Sequence, residues 1–298
     1  MTTETLGGRK ALLPPAPRLR VPGRGRAYLL LAPAVALVGA AFVYPIVLLL
    51  YLSFTNPEVG FGNYVSAFTD GISLTILWRT MRVAAVVTLV TLVLAYPYAY
   101  VMTVVGPKTR AVMVAFVLMP FWTSLMARTF AWVVLLQENG PVNSFLSALG
   151  AGPVKLLGTG SGVTLAMTQV LMPFMTLPLY ATLSGIDRRL VDAALGLGAR
   201  PVVAFLKVYL PLSMPGLVAG GAMVYILSLG FYVTPALIGS PSQSMMSQLI
   251  GTKVQELLQF GGAGALSAIM LVVTLLLLAV VSRVAGFNRA LARLEGDR

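Results

Sequence analysis

Long runs of apolar residues constrain the fold of this 298-residue sequence more than any other feature. A helix needs about 20 consecutive apolar residues to cross the hydrocarbon core of a bilayer. Six runs reach that length, at residues 27–54, 83–105, 111–136, 165–186, 217–238 and 265–284. Only 10% of the residues are charged, against about a quarter in a typical soluble domain. The sequence therefore predicts an all-α integral membrane protein with six transmembrane helices.

The positions of lysine and arginine predict how these helices are oriented, because basic residues concentrate in the cytoplasmic loops of membrane proteins. If the N-terminus is cytoplasmic, five of the 21 basic residues fall outside or near the outer surface: Arg79, Arg82, Arg128, Lys155 and Lys253. The other basic residues fall in cytoplasmic segments. We therefore expect both termini in the cytoplasm.

Composition also divides the chain into three parts. Residues 1–26 are basic and proline-rich, which predicts a disordered cytoplasmic tail. Residues 27–287 form the six-span membrane domain, and residues 288–298 form a short cytoplasmic tail.

Several functional classes lose their usual side chains. The sequence has no cysteine and no histidine, which excludes thiol chemistry, disulfides and imidazole-based catalysis or metal binding. The phosphate-binding pattern Gly-x-x-x-x-Gly-Lys-Ser/Thr is also absent, because no Gly-Lys pair occurs. The net charge of +12 is spread between apolar runs rather than gathered on one face of a soluble module, which argues against nucleic acid as a partner. We expect no catalytic residue, no metal and no cofactor.

One polar segment, residues 186–211, interrupts the apolar pattern between the fourth and fifth spans. Its first half has apolar residues at helical spacing, which predicts a short amphipathic helix. Gly198 follows where a helix end favours a positive φ, and Pro201 follows where a second helix favours proline. Pro211 is expected to limit that second helix. The pattern predicts a helix-turn-helix at the cytoplasmic surface, although periodicity alone would also fit a simple connecting loop.

The stretch "DAALGLGARPVVAFLKVYLP" in this segment resembles the cytoplasmic loop motif of ABC-importer permeases of the MetI-like type. That motif reads Glu-Ala-Ala, three residues, Gly, nine residues, Ile-x-Leu-Pro. Seven residues of this sequence fall at its positions: Asp192, Ala193, Ala194, Gly198, Val208, Leu210 and Pro211. Asp192 stands for Glu and Val208 for Ile, and each keeps the chemical type. The resemblance implies that the segment is a coupling loop, which docks in a cleft of a separate ATPase subunit and transmits its closure.

Three further stretches resemble the spermidine/putrescine branch of these permeases: "YPYAYVM", "FWTSLMARTFAW" and "FYVTPALIGSPSQSMMSQLI". The resemblance implies a permease subunit of an ATP-driven polyamine importer in a bacterial inner membrane. It also implies the partners, namely two copies of an ATP-binding subunit, a second permease subunit, an extracytoplasmic binding protein and the lipid membrane. Neither the substrate nor the identity of the second permease follows from the residues themselves.

Six residues are candidates for lining a translocation path: Tyr98, Trp122, Arg128, Gln169, Tyr225 and Tyr232. Aromatic faces can attract an organic cation, but such residues also serve in helix packing or as interfacial anchors. Arg128 is expected near the outer end of the third span, about 25 Å along a helix from Ala111. Gly216 and Gly220, four residues apart, predict close helix contact.

Other interpretations stay open at this point. Arginines near the outer surface and the lack of carboxylates in the apolar runs also fit another small amine, an opine, or a zwitterionic or anionic substrate. An autonomous secondary transporter or channel would be expected to carry membrane-embedded carboxylates for ion coupling. An intramembrane enzyme would need serine or threonine to act without histidine.

Overall fold

A computed structural model of the chain describes residues 24–296, with side chains for residues 31–283. The described residues form helices and contain no strand. The helices are α1 (Arg24–Thr55), α2 (Gly62–Thr69), α3 (Gly71–Val104), α4 (Pro107–Trp122), α5 (Leu125–Leu135), α6 (Pro141–Ala148), α7 (Gly160–Ser184), α8 (Arg189–Gly196), α9 (Pro201–Ala204), α10 (Leu210–Leu229), α11 (Val233–Ile238), α12 (Met246–Gln255) and α13 (Phe260–Gly296). The predicted tail 1–26 lies outside the described residues except for its last three, which begin α1.

The chain divides into two compact units, residues 1–48 and residues 49–298. The described part of the first unit is the apolar body of α1. Its large side chains are exposed, with Val35, Leu37 and Phe42 each more than half accessible. Exposure of apolar side chains all around a helix is what a lipid environment permits.

In the second unit, α3, α7 and α10 pack together around the main core. Val87, Met175 and Val224, one from each helix, are completely buried in this core. Helices α3 and α7 begin at the same end of this bundle, the end that lies near α12, and we call it the α12 end. Helix α10 begins at the opposite end, which lies near α8, and we call it the α8 end. Between these ends the three helices bury their small and apolar faces against each other.

The predicted close contact at the glycine pair of α10 is confirmed. A Cβ added to Gly216 would lie 2.7 Å from the side chain of Thr182, and one added to Gly220 would lie 2.9 Å from Sδ of Met175. Both neighbours belong to α7. Residues this small allow two helix backbones to approach closely, which favours association of membrane helices by van der Waals packing.

Among the described residues, five helices are long and apolar enough to cross a membrane, and the pair α4 and α5 makes a sixth span if the two count as one. The prediction of one continuous helix over residues 111–136 is wrong, because the pair is bent by 100°. Thr123 and Ser124 at the break have extended backbones, with ψ of 143° and 135°. Arg128 therefore does not lie along one straight helix from Ala111.

The second span also differs from the prediction. Helix α3 begins at Gly71, well before residue 83, so that Arg79 and Arg82 lie inside it. Asp70 caps this helix, since its carboxylate accepts hydrogen bonds from the amides of Ile72 (3.0 Å) and Ser73 (3.3 Å).

The helix of the fifth span runs over Pro201–Leu229, not over residues 217–238. The last six residues of the predicted span form the separate helix α11. The sixth span begins earlier than predicted, because α13 begins at Phe260, and this helix continues to Gly296. The predicted tail 288–298 therefore continues α13 in its described part.

Candidate functional site

The polar segment 186–211 contains one short helix, a turn and the beginning of a long helix. Asp192 lies in the first turn of α8, where a carboxylate is favoured by the helix dipole. Asp192, Ala193 and Gly198 are exposed, and Ala194 is half-buried. The matched residues at the start of the motif are therefore available to a partner on the surface of the α8 end.

The turn after α8 requires glycine at one position. Gly198 has a φ of +87°, as its place in the sequence predicts. Its amide donates to the carbonyl of Leu195 (2.9 Å), and the amide of Ala199 donates to the carbonyl of Ala194 (3.1 Å). These two bonds form a Schellman motif, which closes the last turn of a helix around a left-handed residue.

The second half of the motif is not a separate helix, and the expected end at Pro211 is wrong. Helix α9 continues through a wide π-type turn at Phe205–Tyr209 into α10. Pro211 lies in the first turn of α10, where it lacks the amide that would bond to residue 207. The wide turn directly before it changes the hydrogen-bond register, which lets the helix continue past the proline. Val208 lies in this turn, and Leu210 begins α10.

Apolar side chains are unusually exposed along this segment. Leu197 is 91% exposed and Val202 is 67% exposed, and Leu206 follows one helical turn after Val202 with 52%. Large apolar side chains that are exposed together on a surface commonly mark an interaction site. The segment thus exposes large apolar side chains as well as the carboxylate of Asp192.

Two of the predicted path residues connect helices. Tyr98 on α3 donates its hydroxyl to the carbonyl of Met113 on α4 (2.9 Å). Tyr225 on α10 donates to the carbonyl of Met81 on α3 (3.3 Å). Both side chains are half-buried, and each hydrogen bond satisfies a polar group between packed helices.

Two other candidates, Arg128 and Gln169, lie on or beside α5. The indole nitrogen of Trp132 on α5 donates to Oε1 of Gln169 on α7 (3.3 Å). Arg128 lies one turn before Trp132 on α5, and its Nε atom is buried without a hydrogen-bond partner among the described residues. The structure therefore brings Gln169 next to α5. The buried Nε–H group of Arg128 remains able to donate a hydrogen bond to a ligand.

Trp122 and Tyr232 are exposed. Trp122 ends α4 directly at the break and is 74% exposed. Tyr232 precedes α11, is 43% exposed and packs close to Gly251 of α12. Among the described residues, no hydrogen bond joins two of the six candidates.

Sequence reasoning missed an open pocket of about 440 Å³ at the α12 end. Its lining includes Asn63, Asp70, Lys253 and Gln259, and Nζ of Lys253 donates to Oε1 of Gln259 (3.3 Å). The hydrogen bond from Ser73 Oγ lowers the pKa of Asp70, and the Ile72 amide contributes in the same direction. The sequence carried a signal for the cap alone, because aspartate directly before an apolar helical run is a favoured N-cap residue.

Residues 95–293 match the model of the binding-protein-dependent transport system inner membrane component family. The spermidine/putrescine transport system permease protein PotB of Haemophilus influenzae is 30% identical over 72% of this chain and 76% of its own length. The inner membrane ABC transporter permease protein YdcU of Escherichia coli K12 is 29% identical over 90% of this chain and 92% of its own length.

Solved structures also resemble this fold, and one of them serves as an example. It belongs to a bacterial alginate ABC transporter in complex with an alginate pentasaccharide-bound periplasmic protein, with a TM-score of 0.68 and 19% identity, covering 86% of this chain and 93% of that one. The family model spans more than half of the chain and includes the segment 186–211. The chain therefore belongs to the family of binding-protein-dependent transport system inner membrane components, the permease subunits of ABC importers.

Proposed function

We propose that this permease imports polyamines such as spermidine and putrescine, with ATP hydrolysed by a separate subunit. The observation that carries the proposal is the 30% identity to PotB over most of both chains. The motif residues exposed at the α8 end support docking of that ATPase, and Gly198 gives the segment a defined shape. Closure of an ATPase dimer would move this segment and reopen the path toward the binding protein.

The proposed assembly contains two ATP-binding subunits, this chain, a second permease and an extracytoplasmic binding protein. In it the α8 end and both termini face the cytoplasm of a bacterial inner membrane, and the α12 end faces outward. Residues of both permeases would line the path, since the partner would supply the facing wall. Exposed Trp122 and Tyr232 could then meet a substrate cation through their ring faces.

The distribution of carboxylates supports this proposal over an autonomous ion-coupled transporter. Within residues 31–283, six carboxylates occur: Glu58, Asp70, Glu138, Asp187, Asp192 and Glu256. Each lies outside the five long apolar helices and outside α4 and α5. Ion-coupled transporters hold their coupling ions near the middle of the membrane, commonly with carboxylates.

One observation favours a second candidate substrate class, namely a solute that carries a negative charge. The buried Nε of Arg128 has no partner among the described residues, and a carboxylate would satisfy it. A zwitterionic amine such as an opine or a basic amino acid would combine that group with an ammonium group.

The test begins with the chain tagged at its N-terminus and extracted gently from its own membrane. Mass spectrometry of co-purifying proteins should find an ATPase and a second permease. The reconstituted complex should take up radiolabelled spermidine only with ATP, and unlabelled putrescine should compete. Competition by a zwitterionic amine but not by putrescine would favour the second substrate class. Recovery of the chain alone in repeated preparations, with uptake driven by an ion gradient, would contradict the importer.

A further inference from the structure

Four aromatic rings join the wide turn to the end of α3. Phe205 and Tyr209, both in the turn, are stacked with ring centroids 5.8 Å apart. Tyr209 meets Tyr100 edge to face at 5.5 Å, and Phe205 meets Tyr96 edge to face at 6.0 Å. We call these four rings the aromatic cluster.

The cluster lies at a point where two kinds of helix irregularity meet. The turn has the wide register of a π-type turn, a form found frequently at functional sites. On the other side, Pro97 lies in α3 directly after Tyr96, and its missing amide weakens the helix there. Helices bend most easily where backbone hydrogen bonds are missing. Both the wide turn and α3 can therefore change direction beside the rings.

Polar contacts hold the cluster on both flanks. The Tyr96 hydroxyl and Oγ of Ser213 are 3.1 Å apart, which joins α3 to α10 beyond the turn. The Arg188 guanidinium donates from Nη2 to Oγ1 of Thr103 (3.0 Å), which joins the start of α8 to the last turn of α3. Tyr209 itself is only 5% exposed. Both halves of the segment 186–211 are thus attached to the same two turns of α3.

Helix α3 then extends from these contacts to the opposite end of the bundle. Its 34 residues correspond to about 51 Å at 1.5 Å per residue. At the α12 end, Arg79 donates to the carbonyl of Ser244 (3.3 Å), and the Thr80 hydroxyl accepts from the amide of Met246 (2.9 Å). A movement of α3 at the aromatic cluster can therefore be transmitted along this one helix to the elements that it contacts at the α12 end.

We infer that the aromatic cluster is the contact through which movement of the segment 186–211 is passed to α3. This inference rests on the proposed function, since it needs an ATPase that moves the segment. The four residues are positioning residues that couple hydrolysis to the opening of the path. Removing one ring should loosen this coupling without removing the surface on which the ATPase docks.

Tyr100→Leu tests the inference with little risk to folding, because Tyr100 is 40% exposed. Tyr100→Phe keeps the ring that meets Tyr209. Phe61→Leu is the matched control, since Phe61 forms a similar edge-to-face pair with Phe54 at 5.3 Å near the α12 end. Each variant is reconstituted as the complete complex, and ATP hydrolysis and radiolabelled spermidine uptake are measured together.

The expected result is that Tyr100→Leu lowers uptake per ATP hydrolysed by about three- to tenfold, the range that loss of one aromatic pair would give. Tyr100→Phe and Phe61→Leu should keep the wild-type ratio. A purely structural role would lower ATP hydrolysis and uptake in proportion, which leaves uptake per ATP unchanged. An unchanged ratio in Tyr100→Leu therefore overturns the inference, while the proposed importer function stands. If the wild-type complex shows no ATP-dependent spermidine uptake, the proposed function fails and the inference falls with it.

Discussion

At the scale of single residues, the contact between α7 and α10 depends on the absence of side chains. A Cβ at Gly220 would lie 3.0 Å from the backbone oxygen of Met175 as well as close to its sulfur. A backbone atom cannot rotate away as a flexible side chain can, so the helices would have to separate. The adjacent Gly221 has only Thr88 Cγ2 nearby, at an ordinary 3.9 Å.

We expect Gly220→Ala to be less stable than Gly221→Ala by about 1–3 kcal/mol, the usual cost of overpacking a well-packed core. Both variants gain the same helix propensity from alanine, so their difference isolates the contact with Met175. Thermal unfolding of both variants in the same detergent measures it. Equal unfolding midpoints would show that α7 and α10 adjust without cost.

Asp70 predicts a dependence of stability on pH. Its pKa in the folded protein is lowered by the hydrogen bond from Ser73 Oγ and then by that from the Ile72 amide. The pKa in the unfolded chain is higher, so the stabilisation is fully present above that value, near pH 4, and is lost as pH falls through the folded pKa. Asp70→Asn should therefore lower the unfolding temperature at pH 7, and the difference from wild type should shrink toward pH 3. A difference that is constant over this range would show that the charge of Asp70 is not involved.

At the scale of elements, the shape of the segment 186–211 depends on one backbone conformation. Proline at position 198 would remove the amide that bonds to Leu195 and would fix φ near −65° instead of the +87° of Gly198. Gly196, two residues earlier, lies inside α8 with open space around it, so alanine fits there.

We expect Gly198→Pro to lower ATP-driven uptake at least about tenfold, since a cost of about 1.4 kcal/mol in reaching the docked shape already gives that factor. The protein should still be found in the membrane, because the turn lies outside the packed core. Gly196→Ala should transport normally. Uptake measured in cells, with the amount of membrane protein determined for each variant, makes the comparison. Normal uptake by Gly198→Pro would show that this segment does not couple the ATPase to transport.

The elements also show where sequence patterns were sufficient. Gly198 and Pro201 marked the end of one helix and the start of the next, because positive φ and a missing amide are properties of those residue types. Pro211 did not mark an end, because the wide turn of the preceding five residues accommodates it. The break of the third span at Thr123 and Ser124 lies in a continuous apolar run, and hydropathy carries no information on backbone direction.

At the scale of the whole molecule, the two ends of the bundle should face opposite sides of the membrane. The sequence has no cysteine, so single introduced cysteines report their side without interference. Lys108 at the start of α4 and Glu256 after α12 are both exposed and lie at the α8 and α12 ends, respectively.

In intact spheroplasts, Glu256→Cys should react with a membrane-impermeant maleimide, and Lys108→Cys should react only after the membrane is permeabilised. The excess of basic residues toward the α8 end is the physical reason for this orientation. The fraction labelled is read by a shift in mass. The opposite pattern would invert the topology and would place the segment 186–211 away from any cytoplasmic ATPase.

The sequence by itself determined that this chain spans a membrane, that it carries the coupling-loop motif and that no thiol or imidazole chemistry is present. These properties depend on residue type and on short spacings, which are local. Only the tertiary structure decided that α4 and α5 meet at 100° and that the rings of the turn meet α3. The ring contact joins Tyr100 to Tyr209, more than 100 positions apart, and hydropathy and helical periodicity encode neither such a contact nor the direction of the backbone at a break.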